Sequence, residues 1–154
     1  MGKHNTRNRA DQCIKKIPLL GLMTEDQMSR LNETRYEVKF NRGETIFKQG
    51  SPITHILCIK KGLVKVVLEG AGKKNLILLL IKETNLVGGP GMYTDKRHHF
   101  SVKAVEDTVA CFIDAAIFID AVRESNVLTD AMLRRASERD IQNFNKLISV
   151  VNKQ

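Results

Sequence analysis

The residues best suited to chemistry gather in one short stretch. His98 and His99 are adjacent, Arg97 precedes them, and Gly88-Gly89-Pro90-Gly91-Met92-Tyr93 stands just upstream. A neutral imidazole can bind a metal through either ring nitrogen. A guanidinium presents a fork matched to phosphate oxygens. Closely spaced glycines can turn backbone N–H groups toward one anion, so Gly88, Gly89 and Gly91 are candidates for such a nest. Neighbours in a strand point to opposite faces, which keeps His98 and His99 from sharing one metal. A single one of them, or Met92, Met132 or a cysteine, keeps the donor chemistry of an axial haem ligand. The bland alternative is a tight turn followed by a satisfied or solvated histidine pair.

Other reactive arrangements fail on spacing. The three cysteines, Cys13, Cys58 and Cys111, are odd in number and scattered. That argues against a disulfide framework and an iron–sulfur cluster, and for a reducing compartment. Cys58 and Cys111 lie inside apolar runs and read as small core residues. His55 stands alone, without the H-x-H grouping of a metal-binding cupin. No Ser-His-Asp or Cys-His spacing and no Walker-type loop is present. The residues therefore predict a binding protein, not an enzyme.

The chain carries a net charge of +8 over 154 residues. The excess is dispersed, from Lys3, Arg7, Arg9, Lys15 and Lys16 at the start to Lys60, Lys61, Lys73, Lys74, Lys96 and Arg97 near turns. No zinc-finger spacing, RNP signature or basic zipper accompanies it, so the charges read as a solvated surface. The longest apolar run, Leu76 to Ile81, is too short for a bilayer, which excludes a membrane partner. No secretory h-region is seen, so the expected location is the cytoplasm.

The elements that must position the 88–101 stretch follow from periodicity. Residues 1–16 form a basic arm, partly disordered, with a short helix around 9–16. Thr24-Glu25-Asp26-Gln27 is a capping box that starts a helix over about 25–32. From Tyr36 the period becomes two: Tyr36, Val38 and Phe40 alternate with polar residues. Thr45–Phe47, His55–Ile59, Leu63–Leu68, Asn75–Ile81, Val102–Val105 and Thr108–Ile113 follow, separated by turns. About eight short strands in roughly 80 residues predict a mainly β fold, an antiparallel β-roll or jelly roll with flanking helices. The helical period returns over 115–124, with Ile117, Phe118 and Val122 as its buried side. A long helix over 127–154 then completes the chain beyond a 17–126 sensory domain. Ile141, Phe144, Ile148 and Val151 have coiled-coil seam spacing, Leu128 and Met132 are a looser continuation of the seam, and together they predict a homodimer.

Two segments carry a family resemblance. Gly43-Glu44-Thr45-Ile46-Phe47-Lys48-Gln49-Gly50, followed by Ile59-Lys60-Lys61-Gly62-Leu63-Val64-Lys65-Val66, resembles the β-roll of the Crp/Fnr family of transcription regulators. Val102-Lys103-Ala104-Val105-Glu106-Asp107 resembles that family's next strand-to-turn. The resemblance covers about residues 17–154 and implies an effector-sensing and dimerisation domain. It implies DNA binding only through a helix-turn-helix domain expected past Gln154. In members that bind cyclic AMP, a Glu holds the ribose hydroxyl and an Arg the cyclic phosphate. Here the Glu position is Gly89, the Arg position is His98 and the neighbouring Ser/Thr position is His99, with Arg97 one residue off. Cyclic AMP is thus disfavoured. The effector is another small molecule, haem with a gas such as nitric oxide among the candidates. A stand-alone cyclic-nucleotide or small-ligand module acting on a partner protein is the alternative.

Overall fold

A computed structural model describes residues 16–83 and 85–152. Apart from Lys16, the basic arm with its short helix lies outside the described residues. Helix α1 spans Glu25–Thr34. Eight strands follow: β1 Tyr36–Phe40, β2 Thr45–Phe47, β3 His55–Lys61, β4 Val64–Glu69, β5 Asn75–Ile81, β6 Leu86–Val87, β7 Ser101–Ala104 and β8 Thr108–Asp114. Helices α2 (Ala115–Glu124) and α3 (Asn126–Asn152) close the described chain. The strands form two four-stranded sheets, β1-β8-β3-β6 and β2-β7-β4-β5. All pairings are antiparallel, so the fold is the expected β-roll.

Strands β3 and β8 of the first sheet are buried on both faces, and their sequence shows why. In β3, Ile56 and Cys58 face the helices, whereas Leu57 and Ile59 face the second sheet. Alternation along β8 does the same: Cys111 and Ile113 lie under the helices and Ala110 points inside. A strand covered on both faces reads as a continuous apolar run, as His55–Ile59 does. Above it sit Leu20, Leu31, Phe118 and Leu128, each fully buried.

Local chemistry fixes the helices over this face. Gln27 donates its backbone N–H to Thr24 Oγ1 at 3.2 Å, and Thr24 N donates to Gln27 Oε1 at 3.0 Å. This is the capping box expected from the sequence. Gln27 Nε2 also reaches Ala121 O at 3.2 Å, and Arg30 forks onto Glu124 at 2.8 and 3.2 Å, tying α1 to α2. Asp114 caps α2 through the Ile117 amide, and Ser125 accepts from the Leu128 amide at the start of α3. One residue, Ser125, separates the two helices, so α3 leaves at an angle fixed by how α2 is seated.

Gly62 is the most constrained turn. Its φ is +110°, and a Cβ there would lie 2.5 Å from Thr108 Oγ1 and 2.8 Å from Asp107 O. Only glycine fits a left-handed backbone so close to another strand.

The segment Pro90–Tyr93 is a single 3-10 turn. Two features depart from the sequence reading. Strand β6, of two residues, was not expected, because Leu86-Val87 is too short to show a period. Leu128, assigned to the dimer seam, is fully buried against its own roll, and Met132 packs half-buried on the same cluster. At 3.6 residues per turn Leu128 and Met132 share a side of α3 that Ile141, Phe144, Ile148 and Val151 do not. Further along α3, Ile141, Phe144, Leu147, Ile148 and Val151 are each more than half exposed. So are Leu76, Ile77 and Leu80 of β5, at the edge of the second sheet. Among the described residues, no helix is long and apolar enough to cross a membrane.

Leu128→Ala should therefore lower unfolding stability by about 2–5 kcal/mol, the usual result of emptying a packed leucine site. Denaturant titrations at several protein concentrations check it. The same loss at every concentration is expected, whereas a loss only where chains associate would return Leu128 to a seam.

Candidate functional site

The chemistry-bearing stretch hangs between β6 and β7. Strand β6 pairs with β3 through Leu57–Val87 and Cys58–Leu86. The chain then turns away at Gly88 and Gly89, the latter at φ +97°. At Gly91 a Cβ would sit 2.0 Å from Arg97 O and 2.8 Å from Asp95 Oδ1, so only glycine lets the two limbs close. Thr94 N and Lys96 N both donate to Gly91 O, at 3.1 and 2.8 Å. Residues 96–98 then run antiparallel to residues 50–53. Ile53 N donates to Lys96 O at 2.8 Å, His98 N to Ser51 O at 2.9 Å, and Gly50 N to His98 O at 2.7 Å.

Side chains fill what this loop encloses. Met92 is buried in the cluster beneath the helices, and Met132 packs against that cluster from α3. Phe100 places its ring 3.6 Å from where a Gly89 Cβ would be. His98 is only 4% exposed and stacks on Phe47, with ring centroids 4.4 Å apart and an interplanar angle of 22°. Its Nδ1 is buried without a hydrogen-bond partner. Burial pushes the His98 imidazole below its ordinary pKa. His99 is turned outward, its Nε2 3.0 Å from Asp95 Oδ1. That contact, aided by the Arg97 amide, holds the Asp95 carboxyl below the usual carboxylate range. Arg97, at the surface, donates Nη1 to Gly50 O at 2.9 Å. Tyr93 is half-exposed, and its hydroxyl pKa is raised by burial against an opposing pull from Arg123.

The structure thus gathers Gly88, Gly89, Gly91, Met92, Tyr93, Arg97, His98 and His99 in one loop, with Met132 approaching from α3. It does not gather the donors of one metal. Met92 lies toward the helices, His98 lies on Phe47 of the inner cluster, and His99 faces solvent. Among the described residues no three or more His, Cys, Asp or Glu converge. A porphyrin at His98 would need Phe47 to leave its stack, so as packed that ring is closed to haem. His99 lies at the surface with only Nε2 on Asp95. Two surface depressions, lined by Leu20, Met23 and Met28 and by Gly62, Leu63 and Glu106, lie away from the loop.

Sequence reading missed Arg135. From α3 it donates Nη2 to Leu86 O at 2.7 Å, just ahead of Gly88. Burial, with Arg139 nearby, lowers its pKa, and it makes no ion pair among the described residues. The available signal was its spacing from Leu128 and Met132, which puts it on their helix face. A helix arginine reads first as a solvated charge, which concealed it.

A model of the cyclic nucleotide-binding domain matches residues 37–125, more than half of the chain, and the chain belongs to that family. No curated protein matches the sequence. Among solved structures, the sensor domain of the transcriptional regulator DNR from Pseudomonas aeruginosa superposes with a TM-score of 0.80 at 19% identity, covering 91% of this chain and 94% of that one. The regulatory subunit of a cAMP-independent protein kinase A from Trypanosoma brucei gives 0.71 at 18% identity, over 86% of this chain and 47% of that one. The cAMP-bound regulatory domain of Toxoplasma gondii protein kinase A gives 0.73 at 16%, over 86% and 50%. The chain spans nearly all of the first and about half of the two kinase subunits. At these identities the likeness is one of fold.

His98 makes a pH test. Its folded-state pKa is depressed, so below an unfolded value near 6.5 the unfolded chain takes up the proton first. Its stabilisation is complete above that pH and is lost as the pH falls toward the folded value. Thermal midpoints measured from pH 7.5 to 5 should therefore decline, and His98→Phe should flatten the decline. An equal slope in the variant would assign the proton uptake to another group.

Proposed function

We propose that this chain is the effector-sensing and dimerisation part of a Crp/Fnr-like transcription regulator, that it is not an enzyme, and that its effector is not cyclic AMP. The observation that carries the reading is the closed loop. Gly89 supplies no carboxylate for a ribose hydroxyl, and Arg97 is an exposed residue turned toward Gly50 O. What remains is the half-buried cation of Arg135, which reaches from α3 to the root of the loop. A small anionic effector suits it, because a guanidinium offers a charged acceptor a matched fork of donors. Entry of the effector would displace Met92 or Phe100 and exchange the Arg135–Leu86 contact for one with the ligand. The seating of α3 then shifts between two populated arrangements.

The exposed stripe of Ile141, Phe144, Leu147, Ile148 and Val151 is where a second copy would pack, giving the dimer its seam. DNA contact would come from a separate domain, and the cytoplasm is the location where such a regulator acts.

Thermal unfolding with cyclic AMP, cyclic GMP and haem tests the effector, and sedimentation velocity tests the dimer. A ligand at 100 times its dissociation constant adds ~2.7 kcal/mol, which for this size raises the midpoint by roughly 5–10 °C. No rise with cyclic AMP is expected, together with a dimer that Phe144→Glu converts to monomer. A cyclic AMP shift would overturn the closed-loop reading. A haem shift would mean that His98 can leave Phe47. A monomer at tens of micromolar would remove the seam.

A further inference from the structure

Among the described residues, most of the exposed large apolar side chains lie on two elements, β5 and the outer turns of α3. We propose that β5 of each copy packs on the α3 flank of the other, an inference that rests on the helix dimer of the preceding section. The interface is then a helix seam with a strand on either side of it.

A helix seam alone leaves this flank open. With Ile141, Phe144, Ile148 and Val151 as the a and d positions of a heptad, the same positions one heptad earlier hold Arg134 and Ser137. The apolar seam is therefore four side chains long. At roughly 60–120 Å² of apolar surface each, they fall short of the ~800 Å² per partner that a standard interface buries. Both flanks of a two-helix seam are usually charged. Here one flank is polar, with Glu138, Asn145 and Asn152 at the e positions. The other carries Leu133, Asp140 and Leu147 at successive g positions, with Val150 beside them at c. Leu133, Leu147 and Val150 are each more than half exposed. A stripe this wide packs on a broader surface than one helix offers.

Strand β5 supplies that surface. It is the edge strand of the second sheet, and Asn75–Ile81 contains no charged residue and no proline. Edge strands are ordinarily shielded by charge, proline or a covering element. Leu79 pairs with Val66 of the inner cluster, and Leu80 pairs with Lys65, so β5 shows leucine on both faces. Lengths agree: seven strand residues span about 23 Å, and Leu133 to Leu147 span about 21 Å of helix. Charges agree as well. Lys65, Lys74 and Lys82 border the strand, and Asp140 stands midway along the helix flank. None of these four makes an ion pair among the described residues.

Topology selects a second copy as the occupant. Strands β5 and β6 follow one another and end their sheets on the same rim. Arg135 brings α3 along that rim through Leu86 O. The seam residues lie on the side of α3 opposite Leu128, which faces the parent roll. A second helix on that far side therefore brings its own roll, with its β5, alongside this rim.

Cysteine cross-linking of the full chain is the test, in a Cys13→Ser background. Leu79→Cys and Leu80→Cys place a thiol on either face of β5, and Leu133→Cys and Leu147→Cys place one on the helix flank. A strand variant and a helix variant are mixed, left to exchange and oxidised with copper–phenanthroline. A linked dimer on a non-reducing gel is expected, in several-fold higher yield than from either variant alone. Leu80→Lys should weaken the dimer roughly tenfold in sedimentation, as for loss of one interface anchor, with an unchanged circular dichroism spectrum. Phe144→Cys, run alone, reports on the seam itself. Self-linked Phe144→Cys with no strand–helix link from any pair would overturn this inference and leave the seam standing. No Phe144→Cys link, with a monomer in sedimentation, would remove the seam and this inference with it. A strand variant that links to itself as strongly as to the helix would mean edge-to-edge pairing of β5, which also overturns it.

Discussion

Strands β3 and β8 of the first sheet are covered on both faces, by the second sheet on one side and by α1, α2 and the root of α3 on the other. Ile56, Cys58, Cys111 and Ile113 meet Phe118, Leu31 and Leu128, while Leu57, Ile59 and Ala110 meet Phe47, Val64 and Val102. Each fully buried large aliphatic or aromatic side chain contributes on the order of 1.5–3 kcal/mol relative to exposure. The double layer supplies more than stability. It makes the helices and the interior of the roll two sides of one sheet, so a change on either side is felt by the other.

The 88–101 loop uses that arrangement. Its glycines let the limbs close, Met92 enters the helix-side cluster, and His98 enters the inner side on Phe47. One loop therefore touches both layers, and Arg135 joins its root to α3. The sheet edge at β5 and the outer half of α3 stay apolar and exposed, in contrast with the tightly covered first sheet.

Much of this was legible in the residues. Thr24 and Gln27 announce α1, because a capping box is a local device that needs no tertiary partner. The turn glycines and the alternation of Tyr36, Val38 and Phe40 place the roll in the same way. Longer-range features were not legible. Leu128 and Phe144 both belong to α3, yet at 3.6 residues per turn they lie on nearly opposite sides of it, so only the first is buried by its own roll. Strand β6 has too few residues for a period. The burial of His98 depends on Phe47, far upstream, and the role of Arg135 depends on the Leu86 carbonyl across the fold.

The central claim is that the loop and the long helix form one coupled unit. Hydrogen–deuterium exchange of the full chain, compared between wild type and Arg135→Gln, tests this most directly. The account predicts faster exchange across residues 86–100 and the first half of α3, with β1 and β2 unchanged. Unchanged exchange in the loop, or a uniform rise across the whole roll, would contradict it: the first would make Arg135 a surface contact, and the second a merely structural one.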